Sequence, residues 1–323
     1  MTTPIRKIFF LSCLMAALVL NYACKDKRPI TIGIVNPNPG LEHIIKGFKD
    51  GMAEAGYVEG KDVVYLYNGV TRSNEAVDPE IKELLAKKAD LLLTITTYVT
   101  QRARALTANT NTPVVFGPVF FAVQSGIVAD LKRPGGNLTG MQIGGNTQKA
   151  LEWHLMAAPS TRRMLVPYND EEPAATQSLD ELKEASKKLG IALIIAPVKD
   201  DVELREAIEK NVRRADSMWV LNSHFNVRNI KVFEDAGIRF KLPVSSGTSQ
   251  LGLGMLLSYG QKPYNTGKKA SRLASSILSG IPPAEIPVET VDYYLGINLA
   301  TARAIGVRIT DEMLAQAHEI IRE

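Results

Sequence analysis

The chain has 323 residues, 45% of them hydrophobic, and a formal net charge of only +4. That apolar content over about 300 residues is enough to bury substantial cores and suggests two domains rather than one. The small charge carries no concentrated basic face of the kind a nucleic-acid binder needs, so nucleic acid is excluded as a partner.

Arg6 and Lys7 precede an apolar run from Ile8 to Leu20 that closes on Asn21-Tyr22-Ala23-Cys24. A positive head, a short apolar run and a small residue before the cleavage point describe an export signal. The run is shorter than the roughly 20 residues that cross a bilayer as a helix. Cys24, directly after the small Ala23, points to a bacterial lipoprotein whose residues 1–23 are removed and whose Cys24 is lipidated as the new N-terminus. Such signals usually carry Leu three residues before the cysteine, and Leu20 stands four before. A plain signal peptide or an uncleaved anchor is the alternative. Either way the chain is expected outside the cytoplasm, held at a bacterial membrane if Cys24 carries lipid. The other cysteine, Cys13, lies inside the signal, so the exported part has no disulfide. Residues 24–30, with Lys25, Lys27 and Arg28, read as a solvated tether.

Beyond the tether, short β-rich runs alternate with amphipathic segments, which predicts an α/β fold with parallel sheets flanked by helices. Thr31–Val35 reads as the first strand. Leu41, Ile44, Ile45, Phe48, Met52 and Ala55 then recur at spacings of three and four, the stripe of a helix that Gly56 ends. Val63–Tyr67, Leu91–Ile95 and Pro113–Phe116 are further strands, with helices over Ile81–Lys88 and from about Tyr98. A second series follows the glycine-rich stretch Pro134–Gly140. Its strands are Met164–Val166, Ala192–Ala196, Met218–Leu221, Pro243–Ser245 and Met255–Ser258. Its helices are Ser178–Leu189, Val202–Arg213 and Asn226–Ala236. Two successive α/β units predict two lobes, with ligands bound beyond the C-terminal strand ends.

Several blocks occur in order: Lys46-Gly47-Phe48, Gly56-Tyr-Val-Glu-Gly-Lys-Asp-Val63, Pro113–Phe116, Gly126-Ile-Val128, Arg133-Pro-Gly-Gly-Asn-Leu-Thr-Gly140 and Leu278-Ser-Gly280. Together they resemble the substrate-binding lipoproteins of ABC importers, in the group of tryptophan- and tyrosine-type binding proteins. The resemblance covers nearly the whole exported chain. It implies a periplasmic-binding-protein type I fold, two α/β lobes joined by crossing hinge strands with the ligand held between. It also implies delivery of that ligand to an ABC permease with its ATPase, by a monomer. Residues 31–138 with about 262–288 would form the first lobe, and 139–261 with about 289–323 the second. Gly135, Gly136 and Gly140 permit backbone angles that other residues resist, which suits a hinge; an ordinary glycine-rich turn is the alternative.

Within that frame, Thr96 or Thr97 is placed to cap the helix entered at Tyr98. The free N–H groups and positive end of that helix suit a ligand carboxylate. A cap without a ligand is the alternative. Asn38 stands where the family usually has His. Tyr168 and Asn169 follow a second-lobe strand; Tyr168 either stacks on a ligand or packs in the core. Asn222, Ser223 and His224 end another strand. Relatives usually carry Asp-Asn where Ser223-His224 stands, and Asp-Pro where Phe121-Ala122 stands, here preceded by Phe120. The cleft is therefore expected to have lost two carboxylates and gained aromatic surface, favouring a less polar or aromatic ligand over a free α-amino acid. His224 is a candidate to hydrogen-bond the ligand or read pH, with a satisfied structural histidine as the favoured alternative. Ser246, in Ser245-Ser246-Gly247, lines the cleft or merely turns the chain.

Nothing forms a catalytic set. His43, His154, His224 and His318 lack metal spacing, and no nucleophile elbow or phosphate-binding glycine loop occurs. No metal or other cofactor is implied. The alternatives to transport are a sensor lipoprotein feeding a membrane receptor and, less favoured, an exported α/β hydrolase.

Overall fold

The computed structural model describes residues 28–323. The export signal, Cys24 and most of the tether lie outside the described residues.

The first sheet contains β1 (Ile30–Val35), β2 (Val63–Leu66), β3 (Leu91–Thr94), β4 (Val114–Phe120), β5 (Leu138–Ile143) and the two-residue β11 (Glu289–Thr290), in the spatial order β11-β5-β4-β3-β1-β2. Every pairing is parallel. The second sheet contains β6 (Arg163–Tyr168), β7 (Ala192–Pro197), β8 (Ser217–Val220), β9 (Val244–Ser246), β10 (Leu257–Gly260), β12 (Tyr294–Asn298) and β13 (Glu319–Ile321). Its order is β13-β12-β10-β9-β8-β6-β7, and only β10 and β12 run antiparallel.

Sheets covered on both faces need strands that are apolar on both faces, and Leu91, Leu92 and Leu93 are all fully buried. One face of the first sheet is covered by α1 (Glu42–Glu54) and by Ala270, Leu273 and Ala274 of a helix at Pro263–Leu278. The other face is covered by α2 (Asn74–Ala86) and α3 (Thr97–Thr107). The second sheet is covered by α4 (Thr147–Ala157) and α5 (Pro173–Leu189) on one side. On the other lie α6 (Asp201–Asn211), the short α7 (His224–Arg228) and α8 (Ile230–Phe240). The helix at Pro263–Leu278 is α9, and the short helices α10 (Leu299–Ile305) and α11 (Asp311–Gln316) complete the second lobe.

α1 and α9 approach closely because glycines line their contact. A Cβ on Gly47 would stand 2.0 Å from the Tyr264 carbonyl oxygen, one on Gly267 would stand 2.0 Å from the Ile44 carbonyl oxygen, and one on Gly51 2.1 Å from Ser271 Oγ. Gly47 and Gly267 thus serve backbone-to-backbone packing, and Gly51 makes room for the Ser271 side chain.

The chain passes between the sheets three times, after Ile143, after Gly260 and after Thr290. The first passage corrects the hinge expected at Gly135, Gly136 and Gly140. Gly135 and Gly136, at φ +70° and +67°, form the turn that feeds β5. Gly140 lies inside β5, where a Cβ would meet the Phe116 carbonyl oxygen at 2.0 Å. It lets β4 and β5 close up where their register shifts between Phe116 and Val119. The crossing is made instead by Gly144 and Gly145, at φ +149° and +75°.

Candidate functional site

The C-terminal ends of β1, β3 and β4 lie side by side, the usual ligand edge of a parallel sheet. Beyond β3, Thr96 has φ +83° and ψ 156°, a region that β-branched residues avoid at a cost of order 1–3 kcal/mol. Neighbouring contacts hold it there. Thr100 Oγ1 donates to the Thr96 carbonyl at 2.8 Å and pairs with Thr94 Oγ1 at 2.9 Å. The strained turn presents Thr97, whose Oγ1 accepts the Phe120 backbone N–H at 2.9 Å. An accepting hydroxyl keeps its own proton to donate outward. Neither threonine caps α3, whose first turn has no side-chain partner, which corrects the expected capping role. The N–H groups that a cap would have covered are left at the positive end of the helix. Tyr98 is exposed and reaches only the Asn74 carbonyl, at 3.4 Å.

At the end of β1, Asn36 is fully buried and Asn38 half-buried. Asn36 Oδ1 accepts the Asn38 N–H at 3.0 Å, and its Nδ2 donates to Glu42 Oε1 at 3.3 Å. Asn38 Oδ1 is occupied by the Gly40 N–H at 2.8 Å, closing the Pro39–Leu41 turn. Tyr67 also donates to Glu42, and burial together with that carboxylate pushes its hydroxyl up to about 12. Glu42 is a half-buried carboxylate near this edge that the sequence reading passed over.

Phe120 is half-buried and packs on the first-lobe core. Phe121, at φ +47°, is buried, its ring lying over Gly144, where a Cβ would meet it at 2.6 Å. It closes the base of the crossing, so the expected gain in aromatic cleft surface does not come from Phe121.

In the second lobe most candidates are engaged. Asn169 accepts the Glu171 N–H at 2.8 Å and donates to the Lys199 carbonyl at 3.1 Å. Ser223 is buried and caps α7 through the Asn226 N–H at 3.1 Å. His224 is exposed at the start of α7, which corrects the expectation of a satisfied structural histidine. The histidine with that role is His154, fully buried between the Ser245 and Thr161 hydroxyls. Ser246 Oγ accepts the Thr248 N–H and pairs with its hydroxyl, so it turns the chain. Tyr168 is half-buried against the second-lobe core. Asn222 is 5% exposed, and its Oδ1 has no partner.

The first crossing is held by residues that sequence reading did not single out. Tyr293 stacks on Tyr259 with ring centroids 5.7 Å apart, and its hydroxyl both donates to the Gly144 carbonyl and accepts the Gly144 N–H. Burial pushes that hydroxyl well above its ordinary range, so it stays protonated. Glu181 accepts from the Gly145 N–H and the Thr147 hydroxyl, both at 2.7 Å. Asn146 Nδ2 donates to the Gly247 and Tyr259 carbonyls at 3.0 and 2.8 Å. The pair Gly144-Gly145 before a helix was the available signal, masked by the richer glycine stretch just upstream. Among the described residues no group of three His, Cys, Asp or Glu side chains is arranged to hold a metal, and no helix is long and apolar enough to cross a membrane.

Residues 30–321 match the family described as ABC transporter substrate binding protein. The chain belongs to that family. It is therefore a ligand-binding protein of the extracytoplasmic side. Among relatives of this substrate-binding protein is a tyrosine-binding protein of Clostridioides difficile, 25% identical over 286 residues, covering 88% of this chain and 82% of the relative. A Streptococcus pneumonia ABC domain solved in complex with L-Trp superposes with a TM-score of 0.80 at 23% identity, covering 91% of this chain and 100% of that one. A ligand-free, open substrate binding protein with adhesive properties from Clostridium difficile gives a TM-score of 0.76 at 22% identity, with 92% and 99% covered. The two-lobe type I periplasmic-binding-protein architecture expected from the sequence is thus established.

Proposed function

We propose that this substrate-binding protein closes its lobes on a small amino-acid-like or aromatic ligand and delivers it to a membrane ABC permease. The observation that carries this reading is the strained Thr96 turn, which sets the Thr97 hydroxyl beside the uncapped start of α3. Hydroxyl, free N–H groups and helix dipole together suit a carboxylate. The tyrosine-binding relative and the L-Trp complex support an aromatic amino acid as the first ligand to try. Gly144 and Gly145, with Tyr293 as their clasp, form the hinge of the first crossing.

Mass spectrometry of ligand retained by the purified protein, followed by calorimetric titration of L-tyrosine and L-tryptophan, tests the reading; no binding of either sinks it. The protein acts as a monomer and binds stoichiometrically, so the bound compound is recovered unchanged. Thr97→Ala removes a hydroxyl facing a charged group, worth about 1.5–3 kcal/mol, and affinity should fall about tenfold or more. Thr97→Ser should retain most of it. Tyr168→Ala should also weaken binding, and unchanged affinity in both alanine variants would move the site elsewhere. Cys24 is proposed as the lipid anchor, which the mass of the mature N-terminal peptide reads directly.

A further inference from the structure

The strands of the first sheet all run parallel, so their N-terminal ends share one edge, opposite the ligand edge. The chain enters the fold there, at Ile30, and the Arg28 guanidinium pairs with Asp90, just before β3, at 2.6 and 2.9 Å. From Cys24 to Arg28 there are four Cα-to-Cα steps, which span at most about 14 Å. A lipid on Cys24 therefore keeps this edge no more than about two screening lengths from the bilayer surface.

Cations gather along the same edge. Lys61 stands just before β2 and Lys88 just before β3. Lys132 and Arg133 lie in the turn that feeds β5, next to Leu131, whose carbonyl accepts the Val288 N–H at 2.7 Å. All four are exposed and without an ion-pair partner among the described residues. The ion pairs nearby use other cations: Arg28 with Asp90, Lys49 with Glu59 and Lys87 with Glu83. Asp62 and Asp130 turn back onto backbone N–H groups, and Glu285 is the exposed acid of this edge that has no partner among the described residues. Apolar surface lies beside the cations. Val58 is 49% exposed and Ile281 46%, and Ile281, Pro282 and Pro283 rim a shallow hollow of about 320 Å³ with Pro113, Asn137 and Ile277.

Lysines and arginines around exposed aliphatic and proline side chains suit an anionic lipid surface. The cations meet headgroup phosphates, and the apolar groups settle at the headgroup boundary. We propose that this edge of the first lobe rests on anionic lipid of the membrane that holds Cys24. The contact depends on the lipid anchor proposed at Cys24. The ligand edge of the lobe then stands about 20 Å above the headgroups, the length of the six-residue β1. A contact of four cations is weak and reversible, so the lobe can leave it to tip onto the permease.

Lipidation uses up the Cys24 thiol and residues 25–323 hold no cysteine, so an introduced cysteine is the single reactive thiol of the mature lipoprotein. Ser279→Cys, exposed at this edge, and Lys210→Cys, exposed near the end of α6 in the second lobe, each receive one fluorophore. The labelled lipoproteins are reconstituted into phosphatidylcholine vesicles with headgroup-attached quencher, with or without about one-third phosphatidylglycerol. In the anionic vesicles the Ser279→Cys label should be quenched about twofold or more above the Lys210→Cys label. That excess should shrink by about half or more in pure phosphatidylcholine, and likewise when Lys61→Glu, Lys88→Glu, Lys132→Glu and Arg133→Glu are combined. Equal quenching at the two positions, or an excess that ignores either the lipid charge or the four substitutions, overturns the lipid-facing surface and leaves the anchor standing. Two labels per chain, or protein that fails to float with the vesicles, shows a free Cys24 and removes the anchor and this surface together.

Discussion

Gly267→Ala should destabilise the protein by roughly 3 kcal/mol or more, among the largest single-residue effects available in this chain. Helix propensity alone argues the other way, since alanine in a helix interior is better than glycine by about 1 kcal/mol. Packing decides the sign. The added Cβ would stand 2.0 Å from the Ile44 carbonyl oxygen and 2.8 Å from Phe48 N, both backbone atoms that no rotamer change can move. Relief requires α9 to withdraw from α1, which opens gaps between Ile44, Phe48, Ala270 and Ala274. Gly47→Ala should behave alike, through the Tyr264 carbonyl at 2.0 Å. Ser279→Ala, exposed just past the end of α9, should fall within about 0.5 kcal/mol of wild type. Urea midpoints measure all three, and a Gly267→Ala midpoint at or above wild type would refute the close-approach account.

Stability should also drop steeply in mild acid because of His154. The imidazole is fully buried between Ser245 Oγ at 2.7 Å and Thr161 Oγ1 at 3.1 Å, edge-on to Trp219. Burial lowers its pKa from 6.5 to about 4. The folded state therefore keeps the ring neutral at pH values where the unfolded chain already binds a proton. Stability from this residue is complete above pH 6.5, declines as pH falls toward 4 and levels off below that. The full loss is roughly 3 kcal/mol. Urea midpoints between pH 7.5 and 4 should show the decline, and His154→Gln, which has no proton to gain, should flatten it. An equal slope in the variant would assign the acid sensitivity to other groups.

Long apolar strands and regular helix stripes were legible in the sequence, and the α1 stripe of Ile44, Ile45, Phe48 and Met52 is buried as its spacing required. The misses have physical causes. α2 begins at Asn74, seven residues ahead of the Ile81 start expected from the sequence, and Pro79 sits inside the helix. α4 escaped notice because its buried stripe is Thr147, Ala150, Leu151, His154 and Ala157, small or polar residues that leave little hydrophobic period. At the site, the Thr94–Tyr98 segment was visible as hydroxyls before a helix, but the left-handed Thr96 was not, since only surrounding contacts impose that angle. Asn146, Tyr293 and Glu181 could not be read locally. Tyr293 meets Gly144 across 149 positions of chain, and Glu181 meets Gly145 across 36.

The three passages between the sheets also govern how the molecule can come together. α1 is made near the start of the chain, yet the helix that covers its glycine face, α9, is not available until residue 278. The first lobe must therefore wait, half-built, while the second lobe is synthesised and threaded between its parts. Cutting the chain at the second passage would leave one lobe without α9 and the other without β12 and β13. Neither half is a self-sufficient folding unit, so assembly depends on contacts far apart in sequence, a slow and aggregation-exposed route. Two lobes joined in this way should unfold as one.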